Sequence, residues 1–528
     1  FTVPDGVSLY GGFDGTDGAG GGALETDRTQ RDNDPETNGT ILTGDLFGNS
    51  SRNDNAYHVV TIAENASVVL DGFTIRDGFA DDDAPNKPGA GIRAGGGGNF
   101  TLRNAHLLGN RSLGAGGAIY MRGSFSDSET STFTNVTLED NSSSGPGAGI
   151  FINRYSDNKF TNVITRNNSS DRNGGGIGVR DANSNTFIDV TARGNSAVGE
   201  GGGIHVQDSG DNTFTRVSFR VNYAGFRGGG VYTESSDSDT FTDATFEYNT
   251  AANRNFGRGG GAYISSSATF TDTIFQNNSS GLAGGGIYAS GQSIDLTQVK
   301  FIGNTAGNST RDGRGGGASL GASSFRLVSA MFLGNESGSD FADGIGGGLY
   351  LSRTSGIMAN VVFSGNIARG NGGGLYLGSD TSPFIVNVTF SANQAYASDG
   401  GGIYIGGTNN APLIYNSVLW GNIGSGSGNQ RQVFVADGQP LVTNSLIEDG
   451  IPAGASDEGD NLSSNPLFVN ASGPDNTPGT GDDNLRLDPA SPAVDAGTNT
   501  PFETGGAAEG ITTDLLGSPR IQDGNEDG

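Results

Sequence analysis

Of 528 residues, 93 are glycine and none is cysteine, and 57 acidic against 29 basic side chains leave a net charge of −28. Glycine without a three-residue period excludes collagen, and glycine in bulk excludes a mostly helical protein. No disulfide scaffold or zinc–thiolate site is possible, no apolar run is long enough for a membrane-spanning helix, and the acidity excludes a general nucleic-acid binder.

The chain opens on a strand-like stretch, FTVPDGVSLYGGF (1–13). Residues 39–46, 57–62 and 68–75 (VVLDGFTI) read as further degenerate strands, so 1–88 is expected to form irregular coils and a cap. From residue 89 to 425 a repeat takes over. A small-residue triplet followed by an apolar residue recurs twelve times, with its third residue running from Gly91 and Ala118 to Gly374 and Gly402 at spacings of 25 to 31. A second landmark keeps the same phase: an apolar or small residue, two variable positions, then Asn110, Asn141, Asn168, Asn195, Asn222, Asn249, Asn278, Asn304, Asn335, Asn366, Asn393 or Asn422. Two landmarks sharing one period are the signature of a repeat architecture.

Within a unit the apolar pattern alternates, as in Ile204 and Val206 or Leu349 and Leu351, which is a short strand with one face buried. A second run follows, FTRVSF (214–219) or FTDATF (241–246). Phe241, Ala244 and Phe246 can all point inward only if the chain bends after Phe241. Short strands without helices cannot bury a face alone, and stacking like coils solves this. The expected fold is all-β: a single-stranded right-handed parallel β-helix of about fifteen coils of roughly 27 residues, one continuous domain roughly 70 Å long at ~4.8 Å per coil. Glycine triplets suit corners that need positive φ or close passage of a neighbouring coil. The recurring asparagines are expected to form a buried ladder from coil to coil. Residues 426–528 read as degenerate coils (433–435, 441–447) and an acidic, loop-rich cap.

These triplets, GGGIY and its variants, alternating with F-x-x-N resemble the repeats of chlamydial polymorphic outer-membrane proteins and of bacterial and archaeal β-helix surface proteins. Residues 3–16 (VPDGVSLYGGFDGT) look like the first-coil motif of such chains. NPLFVN (465–470), 473–487 and SPAVDAG (491–497) look like the segment preceding a sortable C-terminal anchor. The resemblance implies an extracellular or cell-surface location and adhesion. The expectation is that sequence, including an anchor, lies beyond both ends, since autotransporter-barrel strands are not seen here.

Catalytic signals are sparse. His58, His106 and His205 are far apart in sequence, and His205 takes a slot held elsewhere by tyrosine. Asp181, Asp208 and Asp237 read as turn residues. The NTD, HG and R-x-K motifs of polygalacturonases are missing. Tyr232, Tyr263, Tyr288, Tyr350, Tyr376 and Tyr404, with Tyr120 and Phe151, should line one face, either stacking on one another or docking a glycan or a partner protein. The loops 250–258, 305–314 and 336–345 fall on one flank, where recognition or neutral insertion fits. Asp475, Asn476, Asp482 and Asp483 surround a glycine turn and could hold calcium, the one cofactor considered; the tail 523–527 is a weaker candidate, and 81–83 reads as a solvated loop. Sequons at Asn65, Asn99, Asn135, Asn278 and Asn387 allow glycosylation, except that Asn278 belongs to the ladder. The leading expectation is an exported, non-enzymatic surface or matrix protein for adhesion or assembly. The alternatives are a subunit that self-associates into an extracellular filament and a carbohydrate-active β-helix enzyme.

Overall fold

The computed structural model describes residues 1–13, 31–49, 51–81, 87–124, 129–234, 238–253, 255–308, 312–339, 343–396, 399–425 and 428–520. Asp82 and Asp83, Asp237, the tail 523–527 and parts of the three flank loops lie outside them. The chain divides into two compact units, Phe1–Thr242 and Asp243–Gly528.

Unit 1 is a parallel β-helix with three faces. Its first face stacks Thr2–Val3, Val60–Ile62, Ile92–Gly95, Ile119–Arg122, Ile150–Asn153, Ile177–Arg180, Ile204–Gln207 and Val231–Glu234, each parallel to the next. The second face carries longer strands such as Ser131–Glu139 and Lys159–Arg166, and the third carries two-residue strands from Phe79–Ala80 to Tyr223–Ala224. Register is strict: Phe133 pairs with Phe160, Phe160 with Phe187, and Phe187 with Phe214. Unit 2 has the same plan, its first face running from Ala262–Ile264 to Val433–Val435. Among the described residues the only helices are single 3₁₀ turns, Arg52–Asp54, Gly428–Arg431 and Thr500–Phe502.

The complete turns number about thirteen, fewer than the expected fifteen or so. The third face explains the difference. It has six strands in unit 1, and six plus the Gln394–Ile423 bridge in unit 2. Among the described residues, the first and last coils pair on two faces only.

Each triplet opens with a glycine whose φ lies between 63° and 80°. At Gly201 a Cβ would also stand 2.5 Å from the Ile204 carbonyl oxygen. The later triplet positions are less strict, since Ala148 and Ala118 occupy them. A second left-handed residue bends the second-face strand. In unit 1 Arg216 has φ 51°, which lets Phe214, Val217 and Phe219 all face inward. Phe241, Ala244 and Phe246 are likewise all buried, beside Asp243 at φ 53°.

The interior is a column of rings. Phe160, Phe187, Phe214 and Phe241 stack with centroids 4.6, 4.6 and 4.4 Å apart and planes within 2°. In unit 2 a different column, the phenylalanines three residues before the ladder asparagines, stacks likewise, with Phe332, Phe363 and Phe390 at 4.7 Å steps. The segment after residue 465 adds no coil. It forms a short antiparallel hairpin, Phe468–Asn470 with Asn484–Leu487, and then runs as a strap over the outer second face of unit 2. Ala508 is buried there against Val328, Ala359 and Val386, with Phe502 and Ile511 packed alongside.

Candidate functional site

The twelve phased asparagines are all buried. In unit 1, Asn110 Nδ2 donates to Asn141 Oδ1 at 3.1 Å, Asn141 to Asn168 at 3.0 Å, Asn168 to Asn195 at 3.0 Å and Asn195 to Asn222 at 3.1 Å. Unit 2 repeats this from Asn249 through Asn278, Asn304, Asn335, Asn366 and Asn393 to Asn422. The second amide hydrogen goes to a backbone carbonyl, as Asn304 Nδ2 to Phe275 O at 2.8 Å. The last rung ends on Gln432 Oε1, 2.6 Å from Asn422 Nδ2. A second ladder, missed in the sequence, runs at another corner of unit 1: Asn158 to Asn185 at 2.6 Å, Asn185 to Asn212 at 2.7 Å and Asn212 to Asp239 at 2.8 Å. Its signal was present as Asn or Asp two residues before each phased phenylalanine.

The aromatic row stacks on itself in segments. His205 lies 4.9 Å from Tyr232, Tyr263 5.2 Å from Tyr288, Tyr350 5.6 Å from Tyr376, and Tyr376 5.1 Å from Tyr404. Gly178 and Ser319 occupy the row between segments. Tyr232 and Tyr263 are only 2% and 7% exposed. The accessible face is therefore narrower than the six tyrosines expected: Tyr288, Tyr350, Tyr376 and Tyr404, extended by Phe434 at 5.1 Å from Tyr404. Flank-loop arginines sit on two of these rings, Arg258 5.0 Å above Tyr288 and Arg314 5.7 Å above Tyr350. His205 is buried and accepts from Asn173 Nδ2 at 3.1 Å; burial pushes its pKa down to about 3, so its ring is neutral.

Three successive coils of unit 1 bring His106, Glu139 and Arg166 together on the outer second face. Glu139 Oε2 accepts from Arg166 Nη2 at 2.6 Å and lies 3.1 Å from His106 Nε2; Glu36 Oε1 stands 3.9 Å from His106 Nδ1. A shallow cavity of about 350 Å³ opens beside them. The Arg166 hydrogen bond holds the Glu139 carboxyl below its usual range, so it stays ionised. The sequence hid this cluster, because spacings of 33 and 27 residues look remote until written as columns of a coil.

The calcium candidates form a tight loop. Thr477 N donates to Asp475 Oδ1 at 2.7 Å and Asp475 N to Asp482 Oδ2 at 3.3 Å. Asp483 turns away and accepts from Gly479 N at 2.7 Å and Ser364 Oγ at 2.8 Å, while burial raises its pKa. Asn476 supplies the left-handed turn, with φ 57°. Among the described residues no three His, Cys, Asp or Glu side chains converge to hold a metal. His58 is held separately, its Nδ1 2.8 Å from Gly89 O. Of the sequon asparagines, Asn65, Asn99 and Asn135 are exposed and Asn278 is buried in the ladder.

No curated protein matches the sequence. Residues 117–306 match the family of the right handed beta helix region. Residues 360–378 and 387–406 match the Chlamydia polymorphic membrane protein repeat. The chain thus carries both repeat types on a right-handed parallel β-helix, and the second match suggests a surface protein.

Proposed function

We propose that the chain is an exported, non-enzymatic surface or extracellular-matrix protein, a stiff β-helical scaffold used for adhesion. One coincidence carries the reading: residues matching the membrane-protein repeats also bear the half-exposed, stacked rings of Tyr376 and Tyr404. Such rings offer an apolar strip edged by hydroxyls, which suits a sugar face or a partner's side chains. Antibody labelling of intact cells tests location, with labelling expected before permeabilisation. A glycan or host-protein array tests adhesion, with binding expected to fall in Tyr376→Ala/Tyr404→Ala. Unlabelled cells, or binding unchanged in a folded variant, would overturn the reading.

The Glu36–His106–Glu139–Arg166 cluster favours a second reading, a carbohydrate-active enzyme. Glycoside hydrolysis needs a protonated carboxyl as acid. Glu139 is held in the opposite state, which supports sugar binding better than cleavage. Release of new reducing ends from a polysaccharide panel, lost in Glu139→Gln, would reverse that preference.

A further inference from the structure

The N-terminal half of the second face in unit 1 presents an ordered array of hydroxyls that no role above uses. On each coil two side chains flank an inward phenylalanine and point outward. Thr132 and Thr134, Thr213 and Thr215, and Thr240 and Thr242 are complete pairs. On the two coils between the first and second pairs, Thr161 and Thr186 each hold one column, with Lys159 and Ile188 in the other. The residues pair in register across five consecutive coils.

Spacing within the array is fixed from behind. The phenylalanines between the threonines stack at 4.9, 4.6, 4.6 and 4.4 Å with planes within 8°. Stacking of this kind keeps a sheet flat where a free sheet would twist. The hydroxyls therefore lie on a two-dimensional lattice of ~4.8 Å between coils and ~6.6 Å along each strand. β-branching limits each threonine to few rotamers, so its hydroxyl and methyl hold their places. None of these hydroxyls hydrogen-bonds to another described residue.

We propose that this face binds ice: the hydroxyls continue the hydrogen-bond lattice of crystalline water, and the methyls between them order the first water layer. Charge would reorganise that layer around itself, and within these five coils the two columns carry only one charged residue, Lys159, in a chain with 57 acidic and 29 basic residues; Arg103, on the coil before, bounds the array beside Thr134. General strand preference does not account for the pattern, because valine, isoleucine and tyrosine serve outward strand positions equally well. Nor does the fold require it. In unit 2 the equivalent positions open with Thr269 and Thr271, but the next two coils put Asp295 and Arg326 at the first of them, and Arg326 Nη1 donates to Asp295 Oδ1 at 3.3 Å.

The test is ice-affinity partitioning and thermal hysteresis of the full chain. Wild type is expected to enter slowly grown ice and to shape its crystals. Thr213→Lys/Thr240→Lys is expected to lose most of both effects with unchanged circular dichroism; Lys159 shows that this column accepts lysine. Tyr376→Ala is expected to retain both. Exclusion of wild type from ice, like that of a bystander protein, would overturn the proposal. So would full activity in the double variant, or depletion onto microcrystalline cellulose or chitin without depletion onto ice.

Discussion

Asn416 and Thr498, 82 positions apart, exchange two hydrogen bonds: Asn416 Nδ2 donates to Thr498 O at 2.8 Å, and Thr498 N donates to Asn416 Oδ1 at 2.9 Å. Asn416 is the left-handed bend residue of its strand, with φ 47°. Its side chain therefore points out of the coil and pairs with the strap as a peptide group would. Asn360, the bend residue two coils earlier, likewise donates to Thr513 O at 2.8 Å. In unit 1 the same kind of residue bonds along its own column instead: Asn162 Nδ2 donates to Asn135 Oδ1, and Asn135 to Asn104.

Asn416→Ala is accordingly expected to loosen the strap by about 1–2 kcal/mol, the net worth of two partly buried hydrogen bonds. Hydrogen exchange at Thr498 should speed up while amides in Leu375–Leu377 stay protected. Unchanged protection at Thr498 would mean that Asn360, Phe502, Ala508 and Ile511 hold the strap without Asn416.

Buried rungs should behave differently from exposed ones. Asn304 accepts from Asn278, donates to Asn335 and satisfies Phe275 O, all out of contact with water. Asn304→Ala strands buried polar groups on both neighbouring coils and leaves a void. The expected cost is about 3 kcal/mol or more, at 1–3 kcal/mol for each unsatisfied buried group. Asn135→Ala, on an exposed bend, should cost less than about 1 kcal/mol. Chemical denaturation of the two variants measures the contrast, and equal costs would refute it.

Filling of the interior makes a third prediction. Phe214 is fully buried between Phe187 and Phe241, at 4.6 and 4.4 Å. Phe214→Ala should destabilise by about 3–5 kcal/mol, because stacked coils cannot close around the gap. Phe214→Leu should recover part of that loss in the same melting experiment.

What was read in the sequence repeats in phase, although phase alone did not reveal the ladder of Asn158, Asn185, Asn212 and Asp239, which spans only four coils. The opening glycine of each triplet and the asparagine after each second strand follow from one local demand met on every coil. What else escaped was contact without a periodic partner. The strap is held by Asn360 and Asn416 through carbonyls of Thr513 and Thr498, and a carbonyl leaves no mark on residue identity. His106, Glu139 and Arg166 escaped for another reason. Each is an ordinary outward residue of its own strand, and only the register of successive coils makes them one cluster. Tyr232 and Tyr263 fell in the repeat's aromatic slot, yet slot membership says nothing about burial by neighbouring chain.

The fourth prediction concerns pH. His205 lies in the column of Phe151 and stacks on Tyr232, and burial pushes its pKa down to about 3. A free imidazole titrates near ~6.5. Between those values the unfolded chain takes up a proton that the folded chain refuses. The stability is thus fully present above pH ~6.5 and falls by about 1.4 kcal/mol per pH unit as the pH drops through the window. Glu200, 3.9 Å from His205 Nε2, shifts the other way: burial raises its pKa, so its protonation offsets part of the loss at the acid end. His205→Phe keeps a ring in the column and removes the titration. Its melting temperature should therefore fall less than that of wild type between pH 7 and pH 5. Parallel curves for the two proteins would mean that the ring is hydrated and titrates normally.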